Sequence, residues 1–138
     1  MKIKRVEHIA IAVDSIAESA GMLRDTFGIK VEYEEERPTA RLAILPIGET
    51  YLELLQSNSP DSAITRWIDA KGTGLFHICF EVEDIDAALA ELKQKGVKLR
   101  DETPRPGHGG SRIAFIDPAA TGNVLIELAE LPGGEQPH

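Results

Sequence analysis

Four residues in this chain are of the types, and in the pattern, that could hold a metal ion. His8 stands in VEHIAIAVD (6–14) and Glu53 in YLELL (51–55); His77 stands in LFHICFEVED (75–84) and Glu127 in VLIELAE (124–130). Two imidazole nitrogens and two carboxylate oxygens suit one divalent ion of the Co, Mn, Ni, Fe or Zn group. Singly, each has a plainer explanation. A lone histidine in a strand is usually a hydrogen-bonded structural residue, and a lone glutamate there is usually a solvated charge. The recurrence changes the balance, because a histidine segment precedes a glutamate segment in the same order in both halves. The two histidines, and likewise the two glutamates, are separated by about 70 residues, the mark of an internal repeat.

The elements that must position these residues follow from periodicity. Residues 5–13 alternate, with His8, Ala10 and Ala12 on one face and Ile9, Ile11 and Val13 on the other, as expected of a strand. Asp14 or Ser15 caps a helix over 15–27 that Gly28 ends. Strands are expected at 30–36, 40–47 and 50–57, the last two joined by a turn at Gly48-Glu49. A connector over 58–74 carries a short helix, capped by Asp61 or Ser62, with Ile64, Trp67 and Ile68 on one face. The plan then repeats. A strand at 75–83 puts His77, Cys79 and Glu81 on one face; a helix follows at 85–95, capped by Asp84 and stopped by Gly96. Further strands are expected at 97–101, 112–117 and 123–130, with an irregular loop ETPRPGHGGS at 102–111.

The fold predicted is therefore α+β: two tandem βαβββ modules, about 4–57 and 75–131, forming a cupped eight-stranded mixed sheet around a metal site. A tail at 132–138 is expected to lack structure, which discounts His138 as a ligand. Parity places the apolar neighbours of all four candidate ligands on the opposite face, against the helices. A buried carboxylate without a partner would cost several kcal/mol, by order of magnitude, and an ion removes that cost for both glutamates.

Composition narrows the function further. The chain has 138 residues, 42% hydrophobic and 28% charged, which fits a single globular domain. No apolar run approaches the roughly 20 residues of a membrane span. One cysteine, Cys79, allows no internal disulfide and agrees with a reducing compartment, so the cytoplasm is the expected location. Cys79 itself reads as a small core filler and Glu81 as one half of a rim salt bridge. The net charge of −8 argues against nucleic acid as a partner. It leaves room for a small anionic ligand, because Arg100, Arg105, His108 and Arg112 form a local basic group that can equally be a solvated loop.

With these residues in view, the chain resembles the vicinal oxygen chelate superfamily of glyoxalases, extradiol dioxygenases and fosfomycin-resistance enzymes, over about residues 4–131. Within it, LRDTFGIKV (23–31), LPIGETYLELLQ (45–56), SAITRWIDAKGTGLFHICFEVEDIDAAL (62–89) and GVKLRDETPRPGHGGSRIAFIDP (96–118) resemble the methylmalonyl-CoA epimerase family. The resemblance implies metal ligands at His8, Glu53, His77 and Glu127, an acyl-CoA substrate and a homodimer. It implies interconversion of the (R) and (S) epimers by removal and return of an acidic α-proton, with Glu127 as the base. Arg105, His108, Ser111 and Arg112 would meet the CoA phosphates or the acyl carboxylate.

Three departures stand out. Phe76 replaces a histidine that members often carry before the ligand, and Asp117-Pro118-Ala119 stands where they commonly read His-Pro-Lys. The inward positions of the 40–47 strand are Ala40, Leu42 and Ile44, so a further carboxylate that some members have there is missing. Glu34 and Glu36 are the remaining candidates for a second base. Two other functions fit the same fold: a glyoxalase I-type isomerase acting on a glutathione hemithioacetal, and a non-catalytic small-molecule or antibiotic-binding protein.

Overall fold

The alternating segments form the strands that their periodicity predicts. In the computed structural model, which describes residues 1–134, these are β1 (Ile3–Val13), β2 (Tyr33–Glu36), β3 (Ala40–Ile47), β4 (Thr50–Ser57), β5 (Gly74–Val82), β6 (Arg105–Pro106), β7 (Arg112–Ile116) and β8 (Ile126–Glu130). Among the described residues three α-helices accompany them: α1 (Ile16–Phe27), α2 (Ala63–Lys71) and α3 (Ile85–Gln94). The eight-stranded mixed sheet expected from the sequence is present, and the class is α+β. No helix among the described residues is long and apolar enough to cross a membrane.

The chain divides into two units. The first is His8–Phe76; the second joins Met1–Glu7 to the chain from His77 onward. The stretch read as a connector thus belongs, α2 included, to the first unit.

In the first unit the strand order is β2-β3-β4-β1, with β1 parallel to β4 and the other pairs antiparallel. Register separates the two faces. Ile9, Ile11 and Val13 share theirs with Leu52, Leu54, Ala43 and Leu45, and this face packs on Ile16, Ala20 and Leu23 of α1. The N-cap hydroxyl of Ser15 accepts from the Glu18 amide, and Gly28 ends the helix at φ 73°, a left-handed conformation that costs glycine little. The amide of Ile16 donates to Gln56 Oε1 at 2.8 Å and ties the start of α1 to β4. On the opposite face, Ala12, Ala40 and Leu55 receive Ile64, Trp67 and Ile68 of α2, with Phe76 against Trp67 at 4.9 Å between ring centroids. Phe76 is therefore a packing residue.

In the second unit the order is β5-β8-β7-β6, with β5 parallel to β8. Ile78, Phe80, Val82, Ala114, Ile116, Ile126 and Leu128 pack on Ile85, Ala88 and Leu89 of α3. Asp84 caps α3 by accepting from the Ala87 amide at 3.0 Å.

Several expectations differ from the structure. The segment 97–101 forms one isolated bridge, Leu99 with Ile116, because the amides of Arg100 and Asp101 both donate to the Phe115 carbonyl and no ladder develops. The edge strand is instead Arg105–Pro106, inside the loop expected to be irregular. Strand β8 begins only at Ile126, since Gly122 and Asn123 have positive φ of 65° and 68°. The tail opens with a 3-10 turn at Pro132–Gly134; residues 135–138, with His138, lie outside the described residues.

Candidate metal centre

Each unit holds one histidine–glutamate pair, on β1 and β4 in the first and on β5 and β8 in the second. In the first unit, β1 and β4 set Ala10 beside Glu53, and His8, two residues earlier, shares that face. His8 and Glu53 are 7% and 8% exposed, and Nε2 lies 3.6 Å from Oε1. Across β3, Ile44 stands directly opposite Glu53 and is fully buried, with Leu42 next along the face. The carboxylate is thus walled by apolar groups.

In the second unit, β5 and β8 set Cys79 beside Glu127, and β7 sets Phe115 on the carboxylate's other side. His77 and Glu127 are both 5% exposed, with Nε2 3.0 Å from Oε1. Phe115 meets the His77 ring edge-on, with centroids 5.2 Å apart at 84°. Cys79 is fully buried, as a core filler should be.

The donor geometry fits metal binding. Two ligands each about 2.1 Å from one ion stand about 3.0 Å apart at a right angle and about 3.4 Å apart at the tetrahedral angle. The observed pairs, at 3.0 and 3.6 Å, lie at and just beyond that range. A divalent ion also favours the ionised carboxylate and the neutral imidazole of such a pair. These residues therefore fit such an ion.

A buried charge network accompanies the second unit, and the sequence reading missed part of it. Glu7 and Glu81 are 2% and 4% exposed. Arg5 donates from Nε to Glu81 Oε1 at 2.7 Å and lies 3.8 Å from Glu7 Oε2, while Lys4 Nζ stands 3.4 Å from Glu81. Glu81 does form the expected salt bridge, but in the interior rather than at a rim. The available signal for Glu7 was its place beside His8, two residues from a matching arginine.

The 102–111 loop and its flanks sort into two groups by face. Arg105 pairs with Ile113 in register and lies over the Phe115 ring, with its guanidinium carbon 5.5 Å from the centroid. It shares the face of Glu127. Arg112 lies on the other face, where Nη1 and Nη2 bond Asp86 at 2.8 and 3.1 Å, with Glu130 3.7 Å away. The Asp86 carboxyl is held below its usual range by that bond, and the Arg112 guanidinium above its own. Arg112 is thus committed to α3, on the face away from the ligand pair. Ser111 is 6% exposed and its hydroxyl donates to the His108 carbonyl at 2.7 Å, clasping the turn. His108, half-buried, sits in that turn. Asp117 accepts from the Ala119 amide at 2.9 Å, which holds its carboxyl below the usual range.

Neither expected second base faces the site. Glu34 pairs with Ala43 and Glu36 with Arg41, which places both on the α1 side, exposed. The β2 residues on the Glu53 face are Tyr33 and Glu35, hydrogen-bonded to each other. Ala40, Leu42 and Ile44 fill the β3 positions, as the alternation predicts.

Comparison with known proteins agrees with this architecture. Residues 7–115 match the family model of the Glyoxalase/Bleomycin resistance protein/Dioxygenase superfamily. The chain belongs to that superfamily. It is 32% identical to the ethylmalonyl-CoA/methylmalonyl-CoA epimerase of Cereibacter sphaeroides, over 94% of this chain and 99% of that protein. It is 31% identical to the mitochondrial methylmalonyl-CoA epimerase of Mus musculus, over 94% of this chain and 74% of that one. Among solved structures, a Streptomyces coelicolor methylmalonyl-CoA epimerase in complex with 2-nitronate-propionyl-CoA superposes with a TM-score of 0.89 at 35% identity. The alignment covers 99% of this chain and all of the other.

Proposed function

We propose that this chain is a divalent-metal-dependent epimerase that interconverts (R)- and (S)-methylmalonyl-CoA. The observation that carries the proposal is the pairing, in each unit, of one buried imidazole nitrogen with one buried carboxylate oxygen at metal-ligand spacing. His8, Glu53, His77 and Glu127 would together hold one ion. The near full-length likeness to acyl-CoA epimerases supports the substrate class. When bound, the ion would supply positive charge against the oxygens of an enolate, the role of a Lewis acid.

The chain's own residues do the rest. A Glu127 carboxylate oxygen takes the C2 proton, and the C2–H electron pair moves into the thioester carbonyl to form the enolate. A second acid then donates a proton to the opposite face of C2 to give the other epimer, and Glu127 is reset when it passes its proton to solvent. Cys79 and Phe115 border Glu127 and keep water from it, which favours proton transfer to substrate. The clasped turn with His108 and Ser111 would border the bound thioester. We extend the proposal to a homodimer, which light scattering on the purified protein checks directly.

One observation favours a second reading. The β3 face opposite Glu53 carries Leu42 and Ile44 and no carboxylate, and the β2 carboxylate on that face, Glu35, is bonded to Tyr33, which leaves Glu127 as the candidate base. A glyoxalase I-type isomerase could shuttle a proton with that one group. Deuterium exchange at C2 of methylmalonyl-CoA, followed with the metal-loaded protein, separates the two. Exchange that is lost in Glu127→Gln is expected; hemithioacetal isomerisation without any C2 exchange would overturn the epimerase proposal.

A further inference from the structure

We infer that Arg105 is the anion receptor of the site, a specificity-determining cation that takes an anionic oxygen group of the bound ligand. This deepens the proposed function and rests on it only for the identity of the ligand. The argument begins with a chain of contacts inside the second unit. Glu127 pairs with His77, the His77 ring meets the edge of Phe115, and the Arg105 guanidinium lies over the Phe115 ring. Register puts Arg105, Ile113, Phe115 and Glu127 on one face. A cation therefore stands one aromatic ring away from the proposed ligand pair, on the side where a substrate would lie.

Asp101 holds that cation in place. Its Oδ2 accepts from the Phe115 amide at 2.9 Å and its Oδ1 from Arg105 Nε at 3.3 Å. One carboxylate thus fixes both the platform and the side chain upon it. The bond uses Nε alone, so the terminal amino groups, which form the fork that matches a carboxylate or phosphate, have no protein partner among the described residues. The Arg105 side chain remains 52% exposed despite the stacking, so a ligand can reach it. Its neighbours in the second unit are occupied differently: Arg112 is committed to Asp86, and Arg5 to Glu81 and Glu7. For a protein of net charge −8, an anionic ligand needs one such oriented cation near its binding face.

The anion has two sources in an acyl-CoA: the free carboxylate of the malonyl group and the phosphates of the carrier. Two probes separate them. Methylmalonate carries the carboxylates without phosphate, and coenzyme A carries the phosphates without the acyl carboxylate. Binding of each is measured by calorimetry to the metal-loaded full-length protein, with the Arg105 Nε–H signal followed by NMR. Arg105→Gln should weaken one probe roughly ten- to hundred-fold, the size expected for loss of a charge-assisted bond. Arg105→Lys should restore part of the loss, and the melting temperature should stay close to wild type. Loss confined to methylmalonate assigns the acyl carboxylate; loss confined to coenzyme A assigns a phosphate. Wild-type affinity for both probes in Arg105→Gln, or an Nε–H signal that neither probe moves, would overturn the inference. Failure of the epimerase proposal reads out separately, as absent C2 exchange in a wild-type protein whose anion binding still depends on Arg105.

Discussion

If four buried donors share one ion, adding that ion must stabilise the fold, and removing one donor charge must uncouple the two. Glu53→Gln is the informative perturbation because it keeps the side chain's shape. An ion at a hundredfold excess over its dissociation constant stabilises the protein by about 2.7 kcal/mol. For a chain of this length that corresponds to a rise of roughly 8–12 °C in melting temperature. Loss of a ligand charge should weaken affinity on the order of hundredfold or more, by extension from the 10–100-fold cost of losing an outer-shell partner. The same ion concentration would then contribute about 0.4 kcal/mol, and the rise should shrink to about 1–2 °C. The metal-free variant should behave in the opposite sense. Glu53 is 8% exposed, walled by Ala10 and Ile44, and 3.6 Å from His8, so a neutral amide there removes an uncompensated desolvation cost. Its melting temperature should equal or exceed that of the metal-free wild type. The assay is thermal unfolding after chelator treatment, titrated separately with Co, Mn, Ni and Zn, with bound ion counted by elemental analysis. A full wild-type rise in Glu53→Gln would refute the reasoning. So would a metal-free variant that melts far below wild type, which would make Glu53 a structural partner of His8. His77→Ala should abolish the rise in the same way; retention of half the bound ion would mean that the two pairs do not share one.

Three further outcomes follow from other parts of the structure. A Cβ at position 107 would lie 2.5 Å from Ser111 Oγ and 2.6 Å from Ile113 Cγ2, so Gly107→Ala should destabilise by about 1–3 kcal/mol in urea unfolding, as overpacking does. Ser62 is 3% exposed and accepts from the Thr65 amide at 3.0 Å, so Ser62→Ala should cost about 1–2 kcal/mol and lower the melting temperature by a few degrees. Tyr33 has its hydroxyl pushed up from 10.0 to about 12, first by desolvation and then by its bond to Glu35. Because the folded value exceeds the unfolded one, its contribution to stability is complete below about pH 10 and is lost as pH rises towards about 12. Ultraviolet titration should show a late tyrosine, and Tyr33→Phe should remove it.

The sheet was largely legible because its strands alternate cleanly. Strands β3 and β4 fall on the predicted 40–47 and 50–57, since the Gly48-Glu49 turn leaves little freedom at either end. The parity of Ala40, Leu42 and Ile44 with Glu53 was readable for the same reason. What was not legible depends on partners far away in sequence. Arg105–Pro106 becomes a strand only because Ile113 and Arg112 offer it an edge. Arg112 was grouped with Arg105 by sequence proximity, but one strand register places it on the α3 side, where Asp86 claims it. The nearby arginine was the one signal for Glu7, and its burial was not legible because Arg5 serves Glu81 as well, 76 residues away.

The passage of β1 from one unit to the other has a consequence for the order in which the chain can be finished during synthesis. The first unit, His8–Phe76, is continuous, so every residue it needs has been made once Phe76 is added. The second needs Met1–Glu7 and residues from 77 on, so residues 1–7 must wait for residues made some 70 positions later. Until then Arg5 has no Glu81 to meet, and Glu7 carries its charge without that network. Folding of the second unit must close a loop of some 70 residues, a modest entropic cost that grows only with the logarithm of length. His8 follows Glu7 at this division. The segment that delivers the first imidazole is also the one whose preceding residues are the last to find their place.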